Sequence, residues 1–170
     1  MRIVVMGPSG SGKSLVGAAL AAQVRARFVD GDDLHPAANV AKMAAGSPLT
    51  DADREPWLDI VGIVLARESH LVVACSALRR VYRDRIRAAA PDAVFVELVV
   101  PVAELAQRMS RRDHFMPPAL LDSQLAVLEP LAADEPGVRI ANDADLVSVV
   151  ERAASLLKRR LGGEGPQSLR

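Results

Sequence analysis

Gly7-Pro8-Ser9-Gly10-Ser11-Gly12-Lys13-Ser14 decides the fold. Its spacing, G-x-x-x-x-G-K-S, is that of a phosphate-binding loop. Glycines let the backbone curl tightly enough for successive N–H groups to face phosphate oxygens. A short apolar run, Ile3-Val4-Val5-Met6, precedes the loop, and Leu15 to Ala22 after it reads as helix. The loop therefore lies between strand and helix, and the helix adds its positive end to the cradle. Lys13 is expected to reach the β- and γ-phosphates, and the Ser14 hydroxyl to ligate magnesium. Gly7, Ser9, Gly10, Ser11, Gly12, Lys13, Ser14 and Leu15 form the expected nucleotide-contacting set. The motif in this setting implies a nucleoside triphosphate as ligand.

A chain of 170 residues is expected to form one domain with a substantial core. Half of it is apolar but only 3% is aromatic, so the core must be built from Ala, Val, Leu and Ile. A formal net charge of zero argues against a dedicated nucleic-acid binder. The single Cys75 allows no internal disulfide, which fits a reducing cytoplasm. No apolar run approaches the roughly 20 residues that cross a bilayer. The amino terminus reads as a buried strand feeding the loop, not as a signal peptide. Lysine occurs only at 13, 42 and 158 in a chain that otherwise writes Arg. Lys13 and Lys42 therefore stand out as positions that call for an ammonium.

Outward from the loop, strands and helices alternate. Strands are expected at 2–6, 28–29, 71–75, 94–99 and 138–141. Helices are expected over 13–25, 34–45, 51–67, 78–89, 101–109, 119–128 and 146–161. Thr50-Asp51-Ala52-Asp53 has the pattern of an N-cap with a capping box. Pro36 suits a first helical turn, and Gly46-Ser47-Pro48 ends that helix. Residues 162–170 are rich in Gly, Pro and Ser and are expected to be frayed. The alternation implies an α/β fold around a central parallel sheet, in which ligands bind beyond the carboxyl ends of the strands. Asp30 and Asp32 follow the second strand, and Ser76 and Arg79 follow the third, so both pairs fall at that end.

Four further stretches carry a family resemblance. They are Asp30-Gly31-Asp32-Asp33-Leu34-His35-Pro36-Ala37-Ala38-Asn39-Val40; Lys42-Met43 with Pro48 to Arg54 and Pro56-Trp57-Leu58; Ala74 to Arg80 with Tyr82-Arg83-Asp84; and His114-Phe115-Met116-Pro117 with Leu120 to Leu125 and Leu128-Glu129-Pro130. With the phosphate loop they resemble the gluconokinase family over about residues 3–157. Arg79 stands where the family often has Lys, and the charge is kept. The resemblance implies a three-layer P-loop nucleoside-kinase-like fold, related to shikimate kinases, with a five-stranded parallel sheet and a lid at about 108–118. It implies one kinase domain over 1–161, ATP and Mg2+ as cofactors, D-gluconate as substrate, and a cytoplasmic homodimer.

Phosphoryl transfer requires charge neutralisation, an acceptor hydroxyl held in line, and removal of its proton. The third strand ends Ala74-Cys75-Ser76, without the acidic residue that often helps hold magnesium. Asp30, acting through a water, is the expected substitute. Asp32 is the expected general base; it resembles the acidic pair after strand two of shikimate kinases. Gluconate carries a carboxylate, for which Lys42, Arg54, Arg79 and Arg83 are candidates. His35, His114 and Gln124 are candidates for its hydroxyls. Arg108, Arg111 and Arg112 bracket the lid. Arg111 is expected to stabilise the transferring phosphoryl, Arg108 to stack on adenine, and Asn142 to touch the base. Cys75, Met43, Phe115 and Met116 read as packing. Residue logic alone gives a small-molecule kinase. Its alternatives are a kinase for another small acid or polyol such as shikimate, and an ATP-binding regulatory switch.

Overall fold

The computed structural model describes residues 1–110 and 118–162. Strands β1 (Arg2–Met6), β2 (Arg27–Asp30), β3 (Leu71–Ala74), β4 (Val94–Val99) and β5 (Gly137–Ala141) form one sheet. Its order is β2-β3-β1-β4-β5 and every pairing is parallel. β1 lies at the centre, where a strand is covered on both faces and must be apolar throughout. Side chains alternate between the faces of a strand. Ile3 and Val5 accordingly pack with α1 (Lys13–Gln23) and α7 (Leu146–Leu161), through Val16, Leu20, Val149 and Leu157. Val4 and Met6 pack on the other face with α3 (Asp51–Arg67) and α4 (Arg80–Ala89), through Trp57, Leu58, Val61 and Ile86. The result is a three-layer α/β/α architecture. Helices α2 (Ala37–Ala44), α5 (Val102–Ser110) and α6 (Pro118–Ala126) lie outside these two packed faces.

Several helices begin or end elsewhere than the sequence predicts, three of them for a visible backbone reason. The first stops at Gln23, because Arg25 turns the chain with φ 55°. The helix predicted from residue 34 starts at Ala37, since His35 precedes Pro36 and is pushed into extended geometry. Gly31–Leu34 instead form a 3-10 turn. The helix predicted from residue 78 starts at Arg80, after Ala77 at φ 40° and an extended Arg79. The capping box of α3 is present: Asp53 N–H donates to the Thr50 hydroxyl, and the Asp53 carboxylate accepts from Thr50 N–H. Among the described residues no helix is long and apolar enough to cross a membrane.

Candidate active site

The phosphate loop joins β1 to α1 at the carboxyl end of the sheet. Gly10 (φ 82°) and Gly12 (φ 89°) adopt left-handed backbone that side chains rarely tolerate. A Cβ on Gly12 would also lie 2.8 Å from Asn142 Nδ2. The loop is held from several sides. Asn142 Nδ2 donates to Ser11 O (2.7 Å), Gly7 N–H to Ser76 O (3.4 Å) and Lys13 Nζ to Pro8 O (3.1 Å). The first turn of α1 holds no acidic residue, which leaves its positive end available to an anion.

A cleft of about 270 Å³ opens on the α7 side, lined by Gly10, Gly12, Leu15, Arg108, Asn142 and Leu146. Arg108 is steered there by Glu104 Oε1 (2.6 Å) and by Asn142 O (2.9 Å). Arg108 and Asn142, the residues the sequence reading assigns to the base, thus stand together beside the loop. Asn142 also braces the loop itself, a role the sequence does not reveal.

A second cleft, of about 280 Å³, opens on the α3 side. Ser9, Lys13, Asp32, His35, Arg54 and Gln124 contribute its polar lining. Val40, Met43, Pro48, Leu49 and Leu78 contribute apolar walls, so Met43, read from the sequence as packing, faces the cleft. The 3-10 turn that carries Asp32 is fixed from below. Trp57 Nε1 donates to Gly31 O (2.7 Å), and a Cβ on Gly31 would strike Ala74 O. Asp30 caps this turn by accepting from Asp32 N–H (3.1 Å). The Asp32 side chain meets water at the cleft surface, yet protein surrounds it at longer range. That partial desolvation pushes its pKa up, the Lys13 charge opposes the shift, and Asp30 and Asp33 reinforce it. The ring of His35 stacks on Trp57, centroids 4.0 Å apart. Burial, aided by the Arg54 charge, lowers its pKa to about 4, so the imidazole is neutral at physiological pH.

Of the four cations proposed for a carboxylate, only Arg54 lines this cleft. Its guanidinium has loose neighbours: Tyr82 Oη at 3.5 Å, Asp51 Oδ1 at 3.7 Å, and the Tyr82 ring at 5.7 Å. Lys42 is bound to Asp53 (2.6 Å), which, with Thr50, holds the Asp53 carboxyl far below its usual range. Arg79 reaches Asp51 (2.6 Å) and Glu129 (3.4 Å). Arg83 requires a correction. It is 1% exposed, forms a two-point ion pair with Glu135 (2.6 and 2.8 Å), and donates to Ala77 O and Glu129 O. Its donors face the protein interior, so it is a structural pin and is not placed to meet a substrate. Gln124 lines the cleft, but its Oε1 accepts from Ser9 N–H (2.7 Å). Arg111, Arg112 and His114 lie outside the described residues, as do Phe115 and Met116. Tyr82, Trp57 and Ser123 also line the cleft. The sequence marks Trp57 only as part of a stretch that carries the family resemblance, with no site role.

A glycine cradle with a cleft bearing Arg108 and Asn142 on one flank and a cleft bearing Asp32 and Arg54 on the other is the layout of a P-loop kinase. The family described as "AAA domain" matches residues 3–131. A gluconokinase of Gluconobacter oxydans is 46% identical over 146 residues, covering 83% of this chain and 82% of that protein. The thermosensitive gluconokinase of Escherichia coli is 44% identical over 88% of this chain and 83% of its own. The crystal structure of a gluconokinase from Sinorhizobium meliloti superposes with a TM-score of 0.89 at 45% identity, covering 99% of this chain and 97% of that one. The chain belongs to the gluconokinase family. A shikimate kinase from Aquifex aeolicus, 16% identical with a TM-score of 0.65, shares the fold alone.

Proposed function

We propose that this protein transfers the γ-phosphoryl group of ATP to the 6-hydroxyl of D-gluconate, giving 6-phospho-D-gluconate and ADP. One observation carries the reading: a single cleft brings together Lys13 of the phosphate loop, the Asp32 carboxylate and the loosely held Arg54. In this reading Arg54 grips the gluconate carboxylate through charge-assisted hydrogen bonds. The polyol chain then runs along His35 toward Asp32. Asp32 takes the hydroxyl proton as the oxygen attacks the γ-phosphorus, and the bond to the ADP oxygen breaks with its electron pair. A raised proton affinity suits that role. Lys13 and the amino end of α1 meet the charge on the phosphates.

The residues present fit a phosphate-bound magnesium ion. No group of three His, Cys, Asp or Glu among the described residues could hold a metal alone. Mg2+ characteristically takes phosphate oxygens and waters with few protein ligands. Ser14 would hold it directly and Asp30 through a water. When bound, the ion neutralises charge on the β- and γ-phosphates. Cytoplasmic localisation and a homodimer, both implied by the resemblance in the sequence, complete the proposal. Light scattering of the purified protein checks the dimer.

A coupled ADP-release assay over a panel of acceptors tests the activity. Turnover is expected with gluconate and not with shikimate. Absence of gluconate-dependent ADP release would overturn the reading, and acceptor-independent hydrolysis would favour a nucleotide switch.

A further inference from the structure

Asn39 is 5% exposed, and it is the one buried residue of α2. Its Nδ2 carries two protons, and both have a destination. One is donated to the backbone carbonyl of Asp53 (2.8 Å). The other faces Nδ1 of His35 (3.3 Å). The amide cannot be turned over without setting its oxygen against the Asp53 carbonyl, two acceptors face to face. Nδ1 of His35 therefore meets a donor and must be an acceptor. A neutral imidazole that accepts at Nδ1 carries its proton at Nε2.

We propose that Asn39 is a positioning residue that locks His35 as a permanent Nε2–H donor to a hydroxyl oxygen of the acceptor. Stacking on Trp57 fixes the ring plane, and His35 borders the cleft. The site then offers an acceptor group at Asp32 and, three residues on, a donor at His35. A polyol presents both a proton and a lone pair at each hydroxyl, so this pairing reads polyols and fixes their direction. The charged groups that line the cleft with His35 are Asp32 from its own turn, Arg54 from α3 and Lys13 of the phosphate loop. Arg54 is the one whose charge acts on the ring, and it favours the neutral form, as burial does.

The inference rests on the assignment of this cleft to the acceptor, but its first test does not. The chain has three histidines, so 15N-histidine NMR of the ligand-free protein resolves the ring of His35. The expected spectrum is that of the Nε2–H tautomer, unchanged between about pH 6 and pH 9. An Nδ1–H tautomer, or a ring titrating near its ordinary value of 6.5, would overturn the proposal and leave the gluconate reading intact. Asn39→Asp replaces the donor by a carboxylate, which also raises the ring's proton affinity, so it is read at about pH 9, where the neutral ring should carry its proton at Nδ1. Loss of one hydrogen bond to the acceptor then raises its KM about tenfold, with the KM for ATP unchanged. Equal rises in both would show a merely structural role, as would a retained Nε2–H ring. If Asn39→Asp does not fold, the wild-type spectrum still decides. A wild-type protein inactive on gluconate but carrying the Nε2–H ring would refute the substrate and keep the tautomer.

Discussion

Replacing Arg54 by Met removes the guanidinium and keeps most of the stem that packs in the cleft wall. The structure lets the loss be sized. Tyr82 Oη lies at 3.5 Å and Asp51 at 3.7 Å, both at the edge of hydrogen-bonding range, so among the described residues most of the five donors lack a strong partner. A hydrogen bond involving a charged group contributes about 1.5–3 kcal/mol net, which converts to about 10- to 150-fold in kcat/KM. The loss should appear in the KM for gluconate and spare the KM for ATP, since Arg54 borders only the α3-side cleft. Stability should change little, because Asp51 keeps Arg79 and the Tyr82 hydroxyl as partners. Lys42→Met is the control. Its ammonium is already bound to Asp53, and its effect on the gluconate KM should be smaller. Steady-state kinetics on both variants, with thermal melts alongside, measure this. An Arg54→Met enzyme within twofold of wild type in gluconate KM, beside a Lys42→Met enzyme that is strongly impaired, would refute the assignment of the carboxylate to Arg54.

Further outcomes are expected. Asp32→Asn should lower kcat by about 10²–10⁴-fold while a fluorescent ATP analogue still binds; near-normal turnover would exclude Asp32 as the base. Arg83→Met leaves Glu135 buried without its partner and should cost about 3–5 kcal/mol in urea unfolding. Adding Glu135→Leu should recover much of that loss, and failure to recover would mean that the pair acts through more than its charge. Ser11 Oγ is buried without a hydrogen-bond partner among the described residues, so Ser11→Ala should hold or raise stability by about 1 kcal/mol, and a fall in Tm would contradict this. His35 binds a proton near 6.5 when unfolded and only near 4 when folded. Unfolding therefore takes up a proton between those values, so stability is full above pH 6.5 and falls as pH drops toward 4. His35→Gln should flatten that part of the urea-midpoint profile.

The parts of the molecule written in local pattern are legible in the sequence. The phosphate loop, the apolar β1 and the Thr50–Asp53 capping box depend on neighbours within a few residues. The parts written in distant pairs are not. Arg83 sits among Arg80, Arg85 and Arg87 on one helix, and nothing local marks it as the one turned inward. Its partner Glu135 lies 52 residues on. Scarcity of lysine makes Lys42 stand out as a demand for substrate; its demand is Asp53, on the next helix. Gln124 has the chemistry of a hydroxyl ligand, and its oxygen meets a loop amide 115 residues away. Ranking the four cations needs the cleft itself, since each carries a positive charge suited to a carboxylate and most of their partners are distant in sequence.

Part of the apolar wall of the α3-side cleft is carried by a short helix that fastens to α3 through the buried Asn39 amide and the Lys42–Asp53 ion pair. Val40, Met43 and Ala44 can therefore be exchanged without disturbing the packing that keeps the sheet folded. A designer seeking a kinase for a longer or bulkier sugar acid has in that eight-residue segment a replaceable cassette, separable from the machinery that handles phosphate.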